Sequence, residues 1–175
     1  MSIFDWFLIQ WLRNGRYRWS RLRRRLCERR YLPTTLPSVS SLDDVKVHLS
    51  MVKWTMDGPL HLFDSISYPQ TVWAKKKDDC DGFAILAATL LRQWNSDLNP
   101  VLVTAMTRPV RSSHTVCVFV SPEGSLLFFD NASLKQEKYK TYKEIVSRIS
   151  EKTRRLVCWD VRNSESLDEL EFHKE

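Results

Sequence analysis

Three side chains in this sequence, Cys80, His114 and Asp130, are of the types that together form and break acyl bonds. A thiolate attacks a carbonyl carbon, an imidazole removes the thiol proton, and a carboxylate holds the imidazole in one tautomer and orientation. Gaps of 34 and 16 residues separate the three, so only folding can bring them together. Cys80 stands in Asp78-Asp79-Cys80-Asp81-Gly82-Phe83-Ala84, ahead of the apolar run from Ile85 to Leu91. That pattern predicts a helix with the cysteine at its mouth. Asp78 or Asp79 serves as N-cap, Asp81 sits in the first turn, and Phe83, Ala84, Ala87, Ala88, Leu90 and Leu91 form the buried face. A thiol there meets the positive end of the helix dipole, which favours the thiolate. The flanking carboxylates oppose that effect.

His114 opens the strand-like run Thr115-Val116-Cys117-Val118-Phe119-Val120, and Asp130 closes Ser125-Leu126-Leu127-Phe128-Phe129. Ser121-Pro122-Glu123-Gly124 between them is a turn. In an antiparallel hairpin the start of the first strand lies beside the end of the second. Nucleophile, base and orienting carboxylate can therefore meet at one place.

Cys80-Asp81-Gly82-Phe83-Ala84, Ser113-His114-Thr115-Val116 and Phe128-Phe129-Asp130-Asn131 resemble the three motif blocks of the transglutaminase-like cysteine protease superfamily. The resemblance covers about residues 66 to 131. It implies an α+β, papain-like core with a catalytic Cys80 at a helix N-terminus packed on an antiparallel sheet. It also implies a Cys80-His114-Asp130 triad that works through a thioester on a peptide or amide substrate. Hydrolysis is the favoured fate and transamidation the other. The chain is too short for a multidomain calcium-dependent crosslinking enzyme, and no stretch reads as a calcium loop.

Gln70 and Trp73 are the side-chain donors closest upstream of Cys80, and either could join its backbone N–H as an oxyanion hole. Each also has a plain reading, Trp73 in packing and Gln70 on the surface. Cys117 and Cys158 lie in apolar runs and read as core residues. His48, His61 and His173 read as surface or packing residues. A metal held by Cys80, His114 and Asp130 lacks an evident fourth ligand, although an open zinc site needs only three. No metal or cofactor is assigned.

With 175 residues, 43% hydrophobic and 27% charged, the chain is ordinary globular protein with room for a core. Four cysteines without CxxC spacing argue against a zinc ribbon and against a secreted disulfide framework. No basic n-region precedes the first apolar stretch and no run reaches span length, so a reducing cytoplasm is expected. The net charge of +6 is concentrated at one end. Residues 1–30 hold nine arginines against Asp5 and Glu28, a balance of +7 that leaves −1 for the rest. The basic character belongs to this segment.

Three segments are expected: an Arg-rich helical arm at 1–32, the transglutaminase-like domain at 33–162, and an acidic, flexible tail at 163–175. Pro33 and Pro37 break the arm from the domain. Ser40 or Ser41 opens a helix whose Val45, Leu49, Val52 and Met56 face the core, stopped by Asp57-Gly58-Pro59. Residues 60–79 read as loop, 100–107 as a strand and 131–139 as a lysine-bearing loop. Thr141 and Glu144 form a capping box for a helix to Ile149, and 155–161 is a last strand. Helices are expected on one side of the sheet. The arm, with Ile3 to Leu12 apolar and arginines interleaved with Tyr17 and Trp19, fits an anionic membrane surface, nucleic acid or a partner protein. It also fits a helix packed on the domain with its arginines in water. A second reading of the whole chain is an adaptor that keeps the fold without turnover and uses the arm for binding. The carboxylates around Cys80 favour that reading. Oligomeric state is not legible.

Overall fold

A computed structural model of the chain describes residues 3–56, 65–150 and 155–175. The Asp57-Gly58-Pro59 stop and His61 lie outside the described residues. The chain enters through α1 (Ile3–Gln10) and α2 (Arg16–Arg23), joined by a π-helical turn over Trp11–Gly15. Asn14-Gly15 does not break the helix. Gly15 is needed there because a Cβ would lie 2.6 Å from the Trp11 ring. Further helical turns carry the segment to Tyr31, short of Pro33.

The buried stripe of this segment includes Leu8, Ile9, Leu12 and Tyr17, which belong to the main core cluster. Polar anchors fix it as well. Asp5 is ion-paired to Arg108 at 2.7 Å and to Arg155 at 2.9 Å. Tyr17 donates to Asp160 at 3.0 Å, and buried Arg24 donates to the carbonyls of Ile66 and Ser67. Arginine in this segment is thus not uniformly a solvated face. Arg16 and Arg24 are buried.

Next come α3 (Leu42–Ser50), β1 (Lys53–Trp54), α4 (Pro69–Lys75), β2 (Lys77–Asp78) and α5 (Cys80–Trp94). Ser41 caps α3, its hydroxyl accepting from the Asp44 N–H at 3.1 Å. Val45, Leu49 and Val52 are buried as expected, but Met56 is exposed because the helix stops at Ser50. The chain then turns extended and pairs with β2 in parallel. The stretch read as loop before Cys80 contains α4, started by Pro69 in its first turn, where the missing N–H costs nothing.

The sheet consists of β3 (Val101–Arg108), β4 (His114–Val120), β5 (Leu126–Asp130), β6 (Ser133–Tyr139), β7 (Arg155–Asn163) and β8 (Glu169–Lys174). Its order is β6-β5-β4-β3-β7-β8, antiparallel throughout, which makes the fold α+β. One face, with Leu102, Cys117, Phe119 and Phe129, packs on the apolar side of α5. The other face, with Val103, Val116, Val118 and Phe128, is covered by α6 (Tyr142–Ile149), so helices lie on both sides of the sheet. Thr141 caps α6 as expected, its hydroxyl accepting from the Glu144 N–H at 3.3 Å.

Two expected coils are strands. Residues 133–139 form edge strand β6, and residues 169–174 of the tail read as flexible form edge strand β8. The tail is held by charge: Asp168 pairs with Arg21 at 2.6 Å, and Glu169 with Arg162 at 2.9 Å and Arg13 at 3.3 Å. No helix among the described residues is long and apolar enough to cross a membrane.

Candidate active site

The start of α5 is built by its own residues. Asp79 is the N-cap, and its side chain accepts from the Asp81 N–H at 3.2 Å. Asp78 sits behind it, with Oδ1 accepting from the Asp79 N–H at 3.0 Å. Gly82 is required by a close approach: a Cβ there would lie 2.7 Å from Asp78 Oδ1 and nearer still to the rest of that side chain. Cys80 occupies the first helical position and is partly accessible.

Beneath this turn lies a buried polar network. Arg16 Nη2 meets Asp81 Oδ2 at 2.7 Å, and its guanidinium also donates to the hydroxyls of Thr104 and Thr115 at 3.2 and 3.3 Å. The two threonines on neighbouring strands β3 and β4 are themselves 3.1 Å apart. None of Arg16, Thr104 and Thr115 was singled out by motif or spacing. The one available signal was an unbalanced Arg-rich segment in a chain that must bury Asp81.

His114 and Asp130 come from adjacent strands. Cys117 pairs with Phe129, so Asp130 falls opposite Val116, two residues from His114 on the same face of the pair. The side chains close that diagonal: His114 Nε2 lies 2.8 Å from Asp130 Oδ1. That hydrogen bond holds the Asp130 carboxyl below its ordinary range against the opposing effect of its partial burial. Asn131, in the left-handed region at φ 52°, also donates to Asp130 Oδ1 at 3.3 Å while turning the chain into β6. Left-handed backbone is tolerated better by Asn than by most residues.

Cys80 and His114 together line a cavity of about 240 Å³ with Trp54, Asp79, Arg111, Ser112, Ser113 and Asn131. They also share a small pocket walled by Trp11, Arg16 and Met106. Neither cavity is lined by the two oxyanion candidates. Gln70 lines a separate cavity of about 400 Å³ with Arg24, Tyr68 and Arg92. Trp73 packs at the core edge, its ring 5.5 Å from that of His48. Helix α4 places both side chains in surroundings other than these two cavities, and loop spacing alone could not show this.

The other thiols are separated by environment. Burial pushes the Cys117 thiol far up and the Cys158 thiol up to about 12. Cys27 is exposed on the N-terminal helix. Although no metal was assigned, carboxylate oxygens of Asp78, Asp79 and Asp81 lie within 4.8 Å of one another and could hold a cation, with Arg16 already paired to Asp81.

The fold and site define an α+β domain with a cysteine at a helix mouth and a His–Asp pair at the adjoining end of its sheet. No family model matches the chain, and no curated protein matches it in sequence. Among solved structures, calcium-bound LapG of Legionella pneumophila is similar over 67% of this chain, at 20% identity and a TM-score of 0.46. That match spans 62% of the LapG chain. EGTA-treated LapG is similar over 77% of this chain and 70% of its own, at 17% identity and a TM-score of 0.47.

Proposed function

We propose that this chain is a cysteine-dependent acyl-transfer enzyme that hydrolyses a peptide or amide through Cys80, His114 and Asp130. The observation that carries the reading is the 2.8 Å His114–Asp130 hydrogen bond beside a cavity that Cys80 and His114 share. Because Nε2 is committed to Asp130, Nδ1 is the nitrogen left to serve the thiol. Nδ1 takes the Cys80 proton, and Sγ attacks the carbonyl carbon to form a tetrahedral oxyanion. The imidazolium returns the proton to the leaving amine as the C–N bond breaks, which leaves a thioester. Water, deprotonated by Nδ1, then attacks the thioester, and the thiol is restored as the acid departs. Asp130 stays ionised throughout and fixes the tautomer. The motif resemblance at Cys80-Asp81-Gly82, Ser113-His114-Thr115 and Phe129-Asp130-Asn131 points the same way.

A second reading is a binding module without turnover. It is favoured by three buried carboxylates, Asp78, Asp79 and Asp81, which oppose a thiolate at Cys80. Iodoacetamide labelling of Cys80 against pH, with His114→Ala alongside, separates the two. Fast labelling well below the free-thiol pKa of about 8.5, lost in the variant, is the enzyme's result. Labelling that rises only near that value and ignores the variant is the module's.

A further inference from the structure

The N-terminal helical segment faces the domain with Leu8, Leu12, Arg16 and Tyr17 and turns its opposite side to solvent. At about 1.5 Å per residue, that outward side runs for roughly 40 Å. It is not a polar face. Ile3 is 88% exposed, with Phe4, Trp6 and Phe7 exposed beside it, and Trp19, Leu22 and Leu26 continue the apolar surface toward the other end.

The arginines divide by side. Arg13, Arg16, Arg21 and Arg23 are paired with carboxylates of the fold, and Arg24 is bound by backbone carbonyls. Arg18, Arg25, Arg29 and Arg30 are exposed on the outward side. Among the described residues, no carboxylate is paired with any of these four. Large apolar side chains bracketed by unneutralised guanidinium groups describe a helix that lies in a headgroup layer.

We infer that this face docks on an anionic lipid surface. Phe4, Trp6 and Phe7 enter the boundary between headgroups and acyl chains, and Arg18, Arg25, Arg29 and Arg30 pair with lipid phosphates. Nucleic acid fits the arginines and can stack on Trp6 or Trp19, but it leaves aliphatic Ile3, Leu22 and Leu26 uncovered in water. A second copy fits the apolar part, but symmetric pairing would press two sets of four like charges together. Lipid satisfies both halves of the surface. Trp11 and Arg16 on the inner side wall the small pocket at Cys80, so docking would leave the helix between that pocket and the lipid. The inference does not depend on Cys80 chemistry.

Co-sedimentation of the full chain with phosphatidylglycerol and with phosphatidylcholine vesicles tests it. The chain partitions onto phosphatidylglycerol, weakly onto phosphatidylcholine, and less as salt rises. Replacing all four arginines (R18Q, R25Q, R29Q, R30Q) lowers the partition on the order of a hundredfold. Phe4→Ser, Trp6→Ser and Phe7→Ser together lower it about tenfold or more. Thermal melts confirm that both variants are folded at the assay temperature, Phe4→Ser losing the stacking of its ring on Arg108. Equal partition of wild type and variants, or none onto phosphatidylglycerol, overturns the inference. So does arginine-dependent binding to a single-stranded oligonucleotide without vesicle binding, or a dimer in sedimentation velocity that the apolar variant abolishes.

Discussion

Arg16 and Asp81 meet at 2.7 Å across 65 residues of sequence, with both side chains sealed from water. The pair ties the N-terminal helix to the residue that follows Cys80. Removing one partner would leave a buried charge uncompensated. Arg16→Met is therefore expected to lower unfolding stability in urea by roughly 3–5 kcal/mol. Adding Asp81→Leu should return much of that loss, since an apolar pair of similar volume often does as well as a buried ion pair. A double variant no more stable than Arg16→Met would show that the guanidinium acts otherwise than by charge.

Asp130→Asn keeps the shape of the His114 contact and removes its charge, which frees the imidazole to adopt the wrong tautomer. Cys80 alkylation at neutral pH should slow by roughly tenfold or more, with the melting temperature little changed. An unaltered rate would remove Asp130 from the site.

The same residue yields a pH dependence with a definite sign. Its hydrogen bond to His114 places the folded pKa below the unfolded value, so the stability it confers is complete above about pH 4. That stability disappears as pH falls through the lower folded value. The difference in unfolding free energy between wild type and Asp130→Asn should shrink between neutral pH and pH values below 4. A difference that stays constant would contradict the assignment.

Gly82→Ala drives a methyl group into the buried Asp78 side chain. Relief requires the α5 start to move, at a cost of about 1–3 kcal/mol. Slower Cys80 labelling should accompany the lower melting temperature. A wild-type melting curve would mean that Asp78 has room the structure does not show.

Thiol counting with a disulfide reagent should find Cys27 and Cys80 reactive in the native chain and Cys117 and Cys158 only after denaturation. Burial lifts the latter two well above the free-thiol range. Reaction of Cys158 in the native state would place its strand, β7, closer to solvent than the structure does.

Local chemistry made some elements readable. The Asp79 and Thr141 caps, the Ser121–Ser125 turn and the apolar strands that enclose it all advertise themselves within a few residues. The strand termini at His114 and Asp130 were visible for the same reason. Elements that depend on distant partners were not. Strands β6 and β8 are edges with both faces largely wet; β6 lacks the alternation that marks a half-buried strand, and in β8 the alternation of Leu170 and Phe172 is short and set among carboxylates. Charged side chains such as Lys135 and Lys138 suit an edge, where they discourage further pairing, and in sequence they look like loop. Helix α4 carries only a proline as its start signal, and missing it misplaced Gln70 and Trp73. Arg16 looked like its neighbours because what distinguishes it, the Asp81 carboxylate, is 65 residues away.

The helix that leads the chain is closed against the strands that end it: Asp5 on Arg155, Tyr17 on Asp160, Arg21 on Asp168. These anchors join residues more than 140 positions apart, so the polar side of the N-terminal helix is satisfied only once residues 155–168 are in place. Arg16, in the same segment, takes its partners instead from α5, β3 and β4, so the floor under Cys80 is closed by residues 81, 104 and 115.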